Sequence, residues 1–337
     1  MKKLISILGG LLAVQLVLAV AMNLSSEDRG AFQPREKLLA FDRNAVDSLR
    51  IEDGKGSVVL SKRDGKWLLP ESGDFPASTV NVDRLLDALA GLQKGWPVAT
   101  TTAAARRFKV ADDQFERKLS LLSNGKTLAV LYVGTSPGFR KVNVRPSGQD
   151  DVFAVAFNTW EANAKNDDWI DKAVLTLSPD DVARVEMPGF VLQRASDELR
   201  VADLAGDEET DAKAAGALLD KLAGLQIQSL LGTESKPEYR QDEPELEIKL
   251  TRTNGNVLSY RFSRPKDATY YVLKRSDRDD YFKVADFNVK PLKEATREKL
   301  VKSASKHALD KSAAGAGNTT TATPAVEPAV KPAGAAQ

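Results

Sequence analysis

The sequence predicts an α+β protein in which one module occurs twice in tandem. Each copy is expected to be an antiparallel sheet with one amphipathic helix packed on it, after an N-terminal transmembrane helix. Three observations carry this. LLDALAGLQ at Leu85–Gln93 returns as LLDKLAGLQ at Leu218–Gln226, with Lys221 in place of Ala88. Short alternating segments surround both helices in the same order. Leu4–Met22 runs nineteen residues without a charge.

That uncharged run follows Lys2 and Lys3. At 1.5 Å per residue it spans about 28 Å, close to the hydrocarbon thickness of a bilayer. Residues 1–3 are therefore read as a cytoplasmic N-terminus, 4–22 as the anchor and 23–37 as a polar stalk. Lysines before the span and none directly after it place the N-terminus inside. The competing reading is a cleaved signal peptide, because Ala19-Val20-Ala21 fits the small-x-small cleavage pattern. Both readings export the body, and the expected location is a bacterial inner membrane, single-pass, with the body in the periplasm.

The first copy, residues 38–173, opens with predicted strands Val46–Glu52, Ser57–Lys62 and Lys66–Leu69. Asp53-Gly54 and Asp64-Gly65 separate them as turn signals. Asn81–Gln93 is the helix, with Val82, Leu85, Leu86, Leu89 and Leu92 on one face and Asp83, Arg84 and Asp87 opposite. Leu119–Ser123 and Lys126–Gly134 flank the hairpin signal Asn124-Gly125. Arg140–Arg145 and Asp151–Ala156 form a second pair, and Phe157–Lys172 is predicted to close the copy as a helix or helix-plus-turn.

The second copy, residues 174–303, repeats that order. Val182–Met187, Phe190–Arg194 and Leu199–Val201 precede the helix Asp211–Gln226, whose apolar face is Ala215, Leu218, Leu219, Leu222 and Leu225. Leu246–Arg252 and Val257–Ser263 flank Asn254-Gly255 as a matching hairpin. Tyr270–Lys274 and Tyr281–Val284 follow, and Val289–Val301 is the predicted closing helix. Phe153-Ala-Val-Ala156 answers Phe282-Lys-Val-Ala285, and the offset between copies drifts from about 133 at the helix to about 129 at this motif. Residues 304–337 are rich in Ala, Pro and Thr and too poor in large apolar side chains to offset ordering entropy, so they read as a disordered tail.

Composition removes several function classes. The chain has 48 basic and 47 acidic residues, which argues against a nucleic-acid partner. It has no cysteine, so disulfides, thiolate nucleophiles and zinc fingers are excluded. Its one histidine is His307 in the tail region, which removes Ser-His-Asp triads and multi-histidine metal sites. Neither GxGxxG nor GxxxxGK[ST] occurs. No cofactor is expected, and the chain is read as a non-enzyme.

Four segments carry a resemblance to a known family: Lys37–Glu52 (KLLAFDRNAVDSLRIE), Asp64–Glu71 (DGKWLLPE), Phe75–Gln93 and Asp167–Met187. They resemble a family of membrane-anchored bacterial proteins built on a domain of unknown function, often encoded beside ABC transporters of the gliding-motility type. The likeness covers most of residues 37–302. It implies a cell-envelope protein that serves as an accessory to a transporter, with an ABC transporter permease as partner. It supplies no catalytic residue.

Candidate interaction residues are Trp67, Trp96, Tyr260 and Tyr271. Trp67 and Trp96 would serve as stacking platforms for a sugar or peptide, or else cover the open side of a small core. Tyr260 and Tyr271 belong to a basic, aromatic run in which alternation sets Tyr260 and Phe262 on one face and Arg261 and Ser263 on the other. Trp160 and Trp169 are nine residues apart and, on one continuous helix, would face opposite ways. The acidic pairs Asp112-Asp113, Asp150-Asp151, Asp167-Asp168, Asp180-Asp181 and Asp279-Asp280 lack the alternation of a calcium loop and read as solvated loop ends, with Ser178 capping the turn before Asp180. The functional expectation is an envelope protein presenting a duplicated interaction module. The alternative is a periplasmic module that binds a glycan or small ligand between its two copies.

Overall fold

The computed structural model describes Gln15 and residues 36–303. The expected anchor, most of the stalk and the tail lie outside the described residues. Among the described residues no helix is long and apolar enough to cross a membrane.

The chain forms two large antiparallel sheets, each with one long helix laid on it. The first half contributes β1 (Ser48–Asp53), β2 (Gly56–Arg63), β3 (Lys66–Leu69), β4 (Phe75–Pro76), helix α1 (Thr79–Ala90) and β5 (Pro97–Ala99). Helix α2 (Thr102–Arg107) and a small hairpin, β6 (Val110–Ala111) and β7 (Gln114–Phe115), follow. β8 (Arg117–Ser123), β9 (Lys126–Val133), β10 (Lys141–Pro146) and β11 (Val152–Ala156) complete the sheet, whose order is β4-β3-β2-β1-β8-β9-β10-β11-β5.

The second half contributes β12 (Val182–Met187), β13 (Phe190–Ala195), β14 (Glu198–Val201), β15 (Glu208–Thr210) and helix α3 (Ala212–Ala223). After it come β16 (Ser229–Gly232), β17 (Leu246–Arg252), β18 (Val257–Ser263), β19 (Tyr270–Arg275) and β20 (Tyr281–Ala285). The sheet order is β14-β13-β12-β17-β18-β19-β20-β16. Helices α4 (Asp286–Lys293) and α5 (Arg297–Leu300) and strand β21 (Val301–Ser303) close the half, with β21 paired to β15.

Both long helices start on a side-chain cap. The Ser78 hydroxyl accepts from the Asn81 amide at 3.3 Å, and the Asp211 carboxylate accepts from the Ala214 amide at 3.0 Å. Each bond satisfies a donor that the first turn of a helix otherwise leaves open. The repeated leucines face inward: Leu85, Leu86 and Leu89 on α1, and Leu218, Leu219 and Leu222 on α3, are all buried. At the one position where the repeats differ, Ala88 is half-buried and Lys221 is exposed.

One continuous apolar core runs through both halves. At the seam, the rings of Phe75 and Phe282 lie 6.2 Å apart. Across it, the Ile227 amide donates to the Lys172 carbonyl at 3.0 Å. The side chain of Arg275 is 4% exposed; it donates to the Leu175 carbonyl at 2.8 Å and clamps Asp277. The two sheets are separate, and the core beneath them is shared.

Four local expectations are corrected. Phe157–Lys172 is not a helix but two single turns, Thr159–Ala162 and Asn166–Asp168. Asn158, Asn163, Asn166 and Asp167 all favour turns and caps over helix interiors, and the Trp169 indole fixes the bend by donating to the Asn163 carbonyl at 2.8 Å. Val289–Val301 splits into α4 and α5, because Pro291 sits near the end of α4 and Thr296 starts a new turn. Ser178 makes no side-chain capping bond. Asn254-Gly255 lies in a four-residue loop between β17 and β18, where only Gly255 of the pair has positive φ; at Asn124-Gly125 both residues do. Three pieces escaped the strand pattern: the edge strands β5 and β16, and helix α2 with its hairpin. That last insertion has its own small core of Ala105, Val110, Ala111, Tyr132 and Val152.

Candidate functional site

The segment that closes the first half builds a hollow against the side of α1. Its walls are Asn81 and Arg84 from the helix and Trp160, Glu161, Asn163, Asp168, Trp169 and Lys172 from the closing turns. Its volume is about 250 Å³. The two tryptophans do different work. Trp169 is 2% exposed and forms the floor, whereas Trp160 is 63% exposed and stands as a wall. The nine-residue spacing that would separate them on a helix brings them to one hollow because the chain turns twice between them.

The hollow is held firmly. The Ser78 amide donates to the Trp169 carbonyl at 2.7 Å, and the Asn81 carboxamide donates to the Asp168 carbonyl at 3.1 Å. With the indole bond to Asn163, these tie the closing turns to the first turn of α1. A second hollow, of about 290 Å³, continues along the same helix. It is lined by Asp87, Ala88 and Gly91 with Arg140, Asn158 and Glu161, and the two share Glu161.

The seam between the halves holds a third hollow of about 350 Å³. Glu71, Ser72, Asn166 and Asp167 line it from the first half, and Leu230, Thr233 and Asp280 from the second. The protein packed around Asp167, with the Asp168 carboxylate beside it, pushes the Asp167 carboxyl above its usual range. The backbone amide of Leu230 and the cations Lys172 and Lys283 oppose that rise. None of the residues lining this hollow is aromatic.

The residues singled out in the sequence are distributed differently from the expectation of an interaction surface. Trp67, Tyr260 and Tyr271 are core, at 2%, 1% and 1% exposure. Tyr260 receives a bond from Arg275, while the Tyr271 hydroxyl donates to Glu245 and accepts from Lys293. Ser263, placed by alternation beside exposed Arg261, is also buried, where its hydroxyl bonds the Tyr239 carbonyl and receives the Gln241 amide. Of the four candidates, Trp96 alone is exposed, at 74%, just before edge strand β5.

Three of the acidic pairs hold arginines, Asp280 through a long contact of 3.9 Å to Arg278. Asp112 binds the side chain of Arg145, which is 7% exposed, and Asp181 binds Arg252. The Arg145 guanidinium keeps the Asp112 carboxyl below its usual range, and burial pushes the neighbouring Tyr132 phenol up. Among the described residues, no group of three or more acidic or histidine side chains is placed to hold a metal ion. Trp160 was not among the predicted site residues. Its one sequence signal was its setting between asparagines in a stretch too rich in turn formers to remain helical.

A family model described as "Domain of unknown function (DUF4340)" matches residues 67–244. No curated protein and no solved structure matches the chain. The matched span starts at Trp67 on β3, takes in α1, the closing turns and α3, and ends at Pro244 just before β17. It covers more than half of the sequence, and the chain belongs to the DUF4340 family.

Proposed function

We propose that this chain is a non-enzymatic cell-envelope protein that presents a duplicated binding module to a partner complex. In this reading residues 4–22 anchor it in a bacterial inner membrane with the body outside, and the partner is the membrane-embedded permease of an ABC transporter. The partner and the location rest on the family resemblance and on the charge pattern of the N-terminus.

The duplication is supported by the sheets. Without β4, the first sheet and the second have one strand order, position by position. Their registers agree as well. Val144 pairs with Val133 and Phe153, and Leu273 pairs with Phe262 and Phe282, so each residue and its counterpart are separated by one constant offset. The helices α1 and α3 are both 12 residues long and start on the same kind of cap.

The observation that carries the binding reading is the wall of Trp160. A large ring held 63% exposed over a polar hollow, on turns fastened by three hydrogen bonds, is built for contact and adds little to the core. Trp96 and Phe139 add two further exposed rings on the same half. Affinity capture of the full chain from detergent-solubilised membranes tests the partner. Recovery of a transporter permease supports it, and a clean preparation with no membrane protein bound counts against it.

The second reading is a small-ligand or glycan module with its site between the two halves. The seam hollow favours a ligand there, but its lining has three carboxylates and no ring for a sugar to stack on. The ring and the polar side chains suited to a sugar lie together at Trp160 instead.

A further inference from the structure

We propose that the groove between helix α1 and the closing turns of the first half is a binding site for a neutral oligosaccharide, with Trp160 as its stacking platform. This site adds a ligand to the envelope-protein reading and does not depend on which membrane partner the chain has.

The first support is shape. Asn81, Arg84, Ala88 and Gly91 follow one another at helical spacing along one flank of α1 and line the two hollows in turn. Ten residues of helix give the groove a length of about 15 Å. Each hollow alone is at the lower edge of the usual size for small-ligand pockets, roughly 300 Å³, and joined through Glu161 they exceed it. An extended chain of sugar rings fits such a groove better than a single compact molecule.

The second support is chemistry. The Trp160 hollow holds two cations, Arg84 and Lys172, and two anions, Glu161 and Asp168. The charges balance, which selects against phosphate-bearing or strongly cationic ligands. What remains is an indole face, two carboxamides, and planar carboxylate and guanidinium groups that can donate or accept in pairs. A sugar ring offers the complement: an apolar face of C–H groups for the indole, and hydroxyls on adjacent carbons, each both donor and acceptor. Arg84 has donors to give, since the one side-chain bond it makes among the described residues is a long one, 3.5 Å to the Asn81 oxygen.

The third support is the contrast between the halves, and this one rests on the duplication. Carried forward from Phe153 and Phe282, the register sets Trp160 opposite Val289. Val289 is 0% exposed, on helix α4, which packs along α3 and buries Leu292 as well. In the second half the closing segment fills the side of the helix. In the first half it runs as two turns beside the helix, fastened at the helix's first turn, and leaves a groove that Trp160 walls.

The test is titration of the full chain in detergent with cellotetraose, maltotetraose, mannotetraose and tetra-N-acetylchitotetraose, read by tryptophan fluorescence and calorimetry. At least one should bind with a change in indole emission. Trp160→Ala should weaken that binding by about tenfold or more, Trp160→Phe should retain most of it, and Trp96→Ala should leave it unchanged. Because Trp160 is exposed, the melting temperature of Trp160→Ala should match the wild type, which separates a lost platform from a lost fold. The proposal is overturned if none of the four sugars binds at millimolar concentration, or if Trp160→Ala binds as well as the wild type. It is also overturned if only a sulfated polysaccharide binds and 0.5 M salt abolishes that binding. Any of these results leaves capture of a membrane partner untouched, so the two readings fail separately.

Discussion

The ring of Phe75, on the edge strand of one sheet, lies 6.2 Å from that of Phe282, inside the other. All four tryptophans belong to the first half, at positions 67, 96, 160 and 169. Indole fluorescence therefore reports unfolding of that half alone. Phe282→Ala removes a fully buried ring from the second half, a change that typically costs about 3–5 kcal/mol. If the core is shared, the fluorescence midpoint of the first half should fall together with the calorimetric one. A fluorescence transition that stays in place while a separate heat peak moves would show two independent domains.

Leu89 and Leu222 occupy the same place in the repeated helix and are 0% and 1% exposed. Replacing either with Asp buries a carboxylate that has no partner. Each variant should lose several kcal/mol, enough to abolish folding at 37 °C where the margin is about 5–15 kcal/mol. Near-neutral melting shifts would mean that the leucine stripes do not face the core.

Much of this was legible in the sequence because amphipathic patterns are local. The helix leucines, the alternation in the strands and the Asn124-Gly125 turn each signal their own structure within a few residues. What failed depended on distant groups as well as on local turn formers. Phe157–Lys172 carries enough apolar residues to read as a helix, yet its path is decided by Trp169 bonding Asn163 and by α1 taking Trp169 and Asp168. For Trp67 and Tyr260 the sequence leaves a surface platform and a core cover both open, and the strands packed over them decide for the core. For the same reason Trp160 could not be told from Trp169 in the sequence: the indole that is fastened is buried, and the other is left outside.

Gly134 ends β9 where the chain passes the end of α2. A Cβ built there would stand 2.0 Å from the Phe108 carbonyl oxygen and 2.5 Å from that of Lys109. Both atoms are backbone, so no side chain can swing aside. The Thr135 amide donates to the same Phe108 carbonyl, which pins the two strands of chain together. Gly134→Ala should therefore cost about 1–3 kcal/mol or more, as overpacking does, and detach the α2 insertion. Hydrogen exchange at Phe108, Lys109 and Val110 is the direct measure, and unchanged protection there would refute the close approach.

Asp167 faces the seam hollow, where it meets Asp168, Lys172 and Lys283, with Glu71 and Asp280 in the same lining. Desolvation, followed by repulsion from Asp168, holds its carboxyl above the usual aspartate range. A carboxyl whose folded pKa is raised is least favourable in its ionised form. The cost is present at neutral pH and is relieved as pH falls through the folded pKa. Asp167→Asn keeps an oxygen that can accept the Leu230 amide and removes the charge. It should raise the melting temperature at pH 7, by about 1–3 °C once solvent screening at this partly exposed site is allowed for. The gain should shrink as pH falls through the raised folded value and vanish well below the usual aspartate range, where wild-type Asp167 is protonated in both states. A gain of the same size at pH 3 would assign the effect to packing, and a loss at pH 7 would mean that Lys172 and Lys283 outweigh burial and Asp168 at the seam.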